Sequence, residues 1–219
     1  MGSRSACAAR SVCLAVCAIL GAAAFCPAQR VRAEGPPEGC HEVAAQPPQT
    51  QPTPRGIINF GQVSPTLYRG GQPSTQGYRA LKQMGVELVV SFRVEKGDMS
   101  IERRAVEAQG MRFVSLPWRA WDGPSDENVR QFLALLASNP NTKVFVHCQQ
   151  GRDRTGTMIA LYREAVEHWC ASSAVSEMKA YHYHHFFFPH LETYVESFPQ
   201  RLSTDSRLAS VAALSYTSH

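Results

Sequence analysis

The chain has 219 residues, of which 44% are hydrophobic and 18% charged, a composition that excludes a disordered or fibrous chain and leaves room for one sizeable core. Its formal charge of +4 suits anionic substrates but is too small and too scattered for a nucleic-acid surface. Heptads, zinc-type cysteine pairs and internal repeats do not occur in it.

The first 33 residues read as a signal peptide. Arg4 and Arg10 precede an apolar, charge-free run over residues 12–25, and small residues then offer cleavage after Ala28 or Ala33. The run is shorter than the ~20 residues of a spanning helix, so an uncleaved anchor is the lesser reading. Export to the periplasm or the exterior follows, with no stable membrane insertion after cleavage. Four of the seven cysteines lie in this leader, so the exported chain keeps Cys40, Cys148 and Cys170. An odd count leaves at least one thiol unpaired, which suits a reactive Cys148 and exposes it to oxidation. Residues 34–56 are rich in Pro, Gln and Gly and read as a linker, in which Cys40 and His41 are incidental. On this reading the fold needs no disulfide.

The folded domain is expected over residues 57–200. Residues 63–73 read as a strand and a turn. Ser74 caps a helix to Met84, with Tyr78, Leu81 and Met84 on one face and Gly85 as its stop. Residues 86–92 form a strand ending before Arg93. A helix follows over residues 100–109, with Ile101, Ala105 and Ala108 inward, and residues 111–116 make a third strand. Alternating strands and helices predict an α/β fold with a central, mainly parallel sheet flanked by helices. A polar, aromatic loop over residues 117–126 precedes a helix carrying Val129, Phe132, Leu133 and Leu136.

Residues 143–146 are apolar and β-branched, and Met158, Ile159, Leu161, Tyr162 and Val166 recur at helical spacing. Between them lies His147-Cys148-Gln149-Gln150-Gly151-Arg152-Asp153-Arg154-Thr155-Gly156. A tight loop that leaves a strand and opens a helix is an anion cradle, with N–H groups turned inward and the positive helix end behind them. Helix starts and cations favour ionisation of a thiol, and Cys148 has both around it. Arg154, five residues further on, has the reach to close over a bound oxyanion with a planar two-oxygen grip. Thr155 is placed to donate a hydrogen bond to the sulfur. Glycines at 151 and 156 allow close backbone approach.

This stretch resembles the signature of the cysteine-dependent phosphatases, the tyrosine and dual-specificity superfamily, whose pattern is His-Cys-x5-Arg-Ser/Thr. His147, Cys148, Arg154 and Thr155 match it residue by residue, and residues 67–93 resemble the entry of the compact bacterial members. The resemblance implies a tyrosine-phosphatase-like fold and hydrolysis of phosphate monoesters through a phosphocysteine, without metal or organic cofactor. It makes Cys148 the nucleophile and gives His147 the task of orienting the loop. Gln149, Gln150, Gly151, Arg152 and Asp153 become substrate-binding positions. A general acid is required because the leaving oxygen must be protonated. In this superfamily it comes from an Asp upstream of the Cys, here Asp122 or Asp126. Ser125 caps the helix that Asp126 opens, so Asp126 has a capping-region role, whereas Asp122 has none and is preferred.

Arg152 followed by Asp153 resembles bacterial phosphatases that accept phosphoinositides as well as phosphotyrosine. Arg152 is then a second-phosphate site, and Asp153 either bonds sugar-like hydroxyls or tethers Arg152. A solvated Arg–Asp pair is the bland alternative. The expected partner is a phosphorylated protein or a phosphoinositide, and not a nucleic acid. A rhodanese-type sulfurtransferase lacks the Arg-Thr-Gly ending, and a phosphate-binding pseudoenzyme has no use for an acid, so both are rivals of lower standing. Residues 181–190 hold four histidines at irregular spacing, which does not make a metal site. Their aromatic residues are expected to pack a helix corner, with Pro189 starting a last helix to about Phe198. Residues 201–219 read as a loosely ordered tail.

Overall fold

A computed structural model describes residues 39–44, 53–94 and 96–216. The proposed leader lies outside the described residues. From Pro36 onward the chain forms one compact unit. Its elements in order are β1 (Gly61–Gln62), β2 (Leu67–Gly70), α1 (Thr75–Gln83), β3 (Leu88–Ser91), α2 (Lys96–Glu107), β4 (Arg112–Ser115), α3 (Asp126–Ala137) and β5 (Val144–His147). Five helices follow: α4 (Asp153–Val166), α5 (Ala171–Ala180), α6 (Pro189–Glu196), α7 (Phe198–Thr204) and α8 (Ser206–Tyr216).

The sheet runs β1-β2-β5-β3-β4; β1 is antiparallel to β2 and every other pairing is parallel. Successive side chains point to opposite faces of a strand, so a strand buried on both faces needs apolar residues throughout. In β5 Val144 and Val146 enter one core while Phe145 enters the other, and in β3 Leu88 and Val90 oppose Val89. The smaller core is closed by α1 and α2 through Tyr78, Leu81 and Val106. The larger one is closed by the helices from α3 onward. Helix α4 runs through it, buried on every side from Thr155 to Val166.

Three expectations are corrected. The inward face of α2 is Glu102 and Val106, and Ile101 is 64% exposed, because the helix starts earlier and its one deeply buried polar residue serves the site described below. Within the expected loose tail over residues 201–219, the described residues 201–216 are helical apart from Asp205: Leu208, Val211 and Ala212, at helical spacing, bury against the larger core, and α8 packs on α3 and α4. Cys40 is not incidental, since it forms a disulfide with Cys170. Around that bond His41 N donates to His168 O at 2.9 Å and Cys170 N to His41 O at 2.9 Å. Glu42 accepts hydrogen bonds from Ser172 and Ser173 at 2.7 and 2.6 Å. Ser125 caps α3 as expected, with Asn128 completing the box.

Candidate active site

Parallel pairing sets Gly70, Ser91 and His147 side by side at the carboxyl ends of β2, β3 and β5. Open α/β sheets bind ligands at such ends. The chain leaves β5 at His147, turns through residues 148–151 and enters α4 at Asp153. Gly151 has φ +71°, and a Cβ there would stand 2.3 Å from the Gly70 carbonyl carbon, so only glycine fits. Its carbonyl oxygen takes a hydrogen bond from Asn59 Nδ2 at 2.9 Å and another from Arg69 Nη2 at 3.1 Å. A carbonyl would repel an anion, and here it is tied to two donors outside the turn. Arg69 is wholly buried, stacked 3.7 Å from the Tyr181 ring centroid. Burial presses its guanidinium below its ordinary value, opposed by the nearby Glu177 charge.

Behind the turn lies a buried polar cluster. His147 is fully buried, with Nε2 2.7 Å from Glu102 Oε1 and Nδ1 3.2 Å from the Cys148 carbonyl oxygen. Tyr78 Oη also donates to Glu102 Oε1 at 2.8 Å, Ser91 Oγ donates to Oε2 at 3.4 Å, and Arg93 Nη1 stands 3.8 Å from Oε2. Burial alone would raise the Glu102 carboxyl, but the hydrogen bonds from His147 and Tyr78 outweigh it and hold the group below its ordinary value. The same contacts push the Tyr78 hydroxyl well above its ordinary value, burial first and the Glu102 charge second.

Cys148 lies buried at the base of a cavity of about 440 Å³. Gln149, Gln150, Asp153 and Arg154 line it from the loop, Arg119, Trp121 and Asp122 from the upstream loop, and Phe188 from the segment before α6. Arg154 is steered by a hydrogen bond from Nη1 to the Phe92 carbonyl at 3.1 Å. Thr155 Oγ1 is buried and makes no hydrogen bond among the described residues. The upstream loop is held by Asp122 N and Gly123 N donating to Arg119 O, each at 3.1 Å, and by His190 Nε2 at 2.8 Å from Ala120 O.

The structure separates the two candidate acids. Asp122 shares the cavity with Cys148 and Arg154. Asp126 accepts from Tyr194 Oη at 2.7 Å and stands 3.5 Å from Arg201 Nη1, away from that cavity. Asp153 holds His184 through its backbone N at 2.9 Å and its ring Nδ1 at 3.0 Å, and His184 Nε2 lies 2.9 Å from Arg152 Nη1. Asp153 thus tethers Arg152 by way of a histidine rather than directly. Arg152 lines an adjoining cavity of about 350 Å³ with Gln150, Asn59 and Ile58. The aromatic run is corrected in part: Tyr181 and Tyr183 are buried, but Phe186 and Phe187 face solvent.

Glu102, Arg69, Asn59 and His184 were not singled out in the sequence. A carboxylate two places from the middle of an amphipathic helix carries no motif. Arg69 offered the better signal, a lone cation within a short strand.

A family model described as DSP-PTPase phosphatase fused to NAD+ kinase matches residues 55–193, more than half of the chain. The dual specificity protein phosphatase TpbA of Pseudomonas aeruginosa is 34% identical over 146 residues, covering 66% of this chain and 64% of its own length. The chain thus spans somewhat under two thirds of that relative. A crystal structure of a P. aeruginosa TpbA variant in complex with pTyr superposes with a TM-score of 0.56 at 26% identity, covering 77% of this chain and 98% of that one. An inositol diphosphatase of Arabidopsis thaliana is 23% identical over 136 residues, 57% of this chain and 64% of its own.

Proposed function

Because the chain belongs to the dual-specificity and tyrosine phosphatase (DSP-PTPase) family, we propose that it hydrolyses phosphate monoesters through a phosphocysteine, with phosphotyrosine the first substrate class. The observation that carries this is the meeting of Cys148, Arg154 and Asp122 in one cavity on a strand–turn–helix anion cradle.

The Cys148 thiolate attacks phosphorus in line. As the S–P bond forms, the P–O bond to the leaving group breaks, and Asp122 gives its proton to the departing oxygen. Arg154 and the loop N–H groups stabilise the equatorial oxygens throughout. Asp122, now a carboxylate, takes a proton from a water that attacks phosphorus, and the sulfur leaves with a hydrogen bond from Thr155. Inorganic phosphate is released and the thiolate is restored. Glu102 and His147 hold the cradle from behind.

A second reading, an inositol phosphate or phosphoinositide substrate, draws support from Arg152 on the adjoining cavity, which offers a cation to a second phosphate. Export to an oxidising compartment is supported by the leader pattern and by the Cys40–Cys170 disulfide, a bond rare in reducing cytosol.

The test is turnover of para-nitrophenyl phosphate by residues 36–219 beside Cys148→Ser. Hydrolysis by the parent and none by the variant supports the reading. A folded parent that turns over nothing overturns it. Phosphotyrosine peptides against inositol polyphosphates then separate the two substrate classes.

A further inference from the structure

The mouth of the cavity carries an aromatic ridge that the hydrolytic chemistry does not use. Phe186 is 83% exposed, Trp121 71% and Phe187 58%, which puts all three among the most exposed big apolar side chains described. The ridge is built, not frayed. Phe187 N and Phe188 N both donate to the His184 carbonyl at 3.0 Å, and His184 is fastened to Asp153. Phe186 packs edge-on to Phe187 at 5.7 Å, and Phe188 edge-on to Trp121 at 4.7 Å. The His190–Ala120 contact joins the two segments. Trp121 and Phe188 also line the Cys148 cavity, so the ridge and the reacting sulfur open to the same side.

We propose that this ridge inserts into the surface of an anionic lipid bilayer and turns the Cys148 cavity toward it. Three observations favour a bilayer over a peptide. The aromatic tips project, whereas a peptide side chain is gripped by a concavity. Trp and Phe are the residues that settle at the boundary of headgroups and acyl chains. The charges around them complement anionic headgroups: Arg119 and Arg152 flank the mouth, and residues 182–190 contain no carboxylate. Of the nearby carboxylates, Asp153 is engaged by His184, and Asp122 lies inside the cavity. The docking is peripheral, since among the described residues no helix is long and apolar enough to cross a membrane.

The experiment is sedimentation of residues 36–219, free of the leader's apolar run, with vesicles of phosphatidylcholine alone or mixed with phosphatidylglycerol. Trp118 and Trp169 are buried, so a blue shift of tryptophan emission on mixing reports Trp121 in the unaltered protein. Expected are binding and a blue shift with the anionic vesicles. The paired change Phe186→Ser and Phe187→Ser should weaken partitioning at least about tenfold, leaving para-nitrophenyl phosphate turnover intact. Phe186→Ser alone, the more exposed site, should weaken it partway. No binding to anionic vesicles overturns the proposal. So does equal binding by parent and paired variant, which would place the attraction in charge alone. A loss of phosphopeptide kcat/KM in the paired variant, with no vesicle binding by the parent, would assign the ridge to a peptide instead.

Discussion

Replacing Glu102 by glutamine removes one negative charge from beneath the cradle while keeping the side chain's shape. His147 Nε2 stands 2.7 Å from Glu102 Oε1 and Nδ1 3.2 Å from the Cys148 carbonyl oxygen, so the carboxylate and the first peptide of the loop meet the same ring. Glu102 is buried with it. The amide takes a charged acceptor away from the buried Tyr78 and Ser91 hydroxyls, and a weakened buried hydrogen bond of that kind costs about 1–3 kcal/mol. For a domain of this size that lowers Tm by roughly 2–12 °C. The Glu102 carboxyl is held below its ordinary value of 4.5, so its stabilisation is complete above that value and is lost as pH falls through the folded-state value. Urea unfolding across pH should show this acid-side loss in the parent and not in Glu102→Gln. Catalysis should suffer as well, by about 100-fold in kcat/KM, because the His147 donor to the Cys148 carbonyl is no longer fixed. The alkylation rate of Cys148 against pH should move in the variant, a readout that loss of packing alone does not produce. A variant within about 0.5 kcal/mol of the parent, with the same alkylation profile, would refute the supporting role given to Glu102.

Three further outcomes are expected. Asp122→Asn should lower kcat by about 10²–10⁴ and remove one limb of its pH profile, whereas Asp126→Asn should leave kcat within a few-fold; the reverse pattern would exchange their roles. Glu164 is buried in α4, and burial pushes its carboxyl up to about 8, so it is neutral when folded and its ionisation opposes folding as pH rises from 4.5 toward that value. Glu164→Gln should therefore add ~3 kcal/mol near neutral pH and nothing in acid, measured by urea unfolding at the two ends. Cys40→Ala with Cys170→Ala opens a loop spanning 130 residues and should cost about 2–5 kcal/mol while turnover at a permissive temperature is unchanged. A loss of turnover there would couple the disulfide to the site.

Local rules carried most of the architecture. β3 and β5 read as buried strands because a parallel strand covered on both faces must be apolar at every position, and Leu88 to Val90 and Val144 to Val146 are. Ser74 and Ser125 announced their helices through capping chemistry that acts within four residues. The signature loop was legible for the same reason, since an anion cradle is made by one continuous turn. What failed was non-local. Cys40 and Cys170 are 130 residues apart, and nothing near Cys40 signals a partner. The tail looked weakly amphipathic because many of its apolar residues are alanine, yet Leu208, Val211 and Ala212 suffice once α3 and α4 supply the other wall.

The site divides along the same line. Residues that touch the substrate position come from the loop and the segment just before α3, and their chemistry is written in adjacent letters. Residues that hold the loop come from everywhere else: Asn59 and Arg69 from the first strands, Glu102 from α2, His184 from the approach to α6. Each meets the loop through polar contacts to partners at least 31 residues away in the chain. Burial makes those contacts obligatory, because a polar group removed from water must find a partner or lose ~1–3 kcal/mol. A sequence shows that such a residue is polar but not that it is buried, so Glu102 reads as one more solvated helix carboxylate until the sheet places His147 against it. The cradle's chemistry is therefore local, and its rigidity is a property of the whole fold.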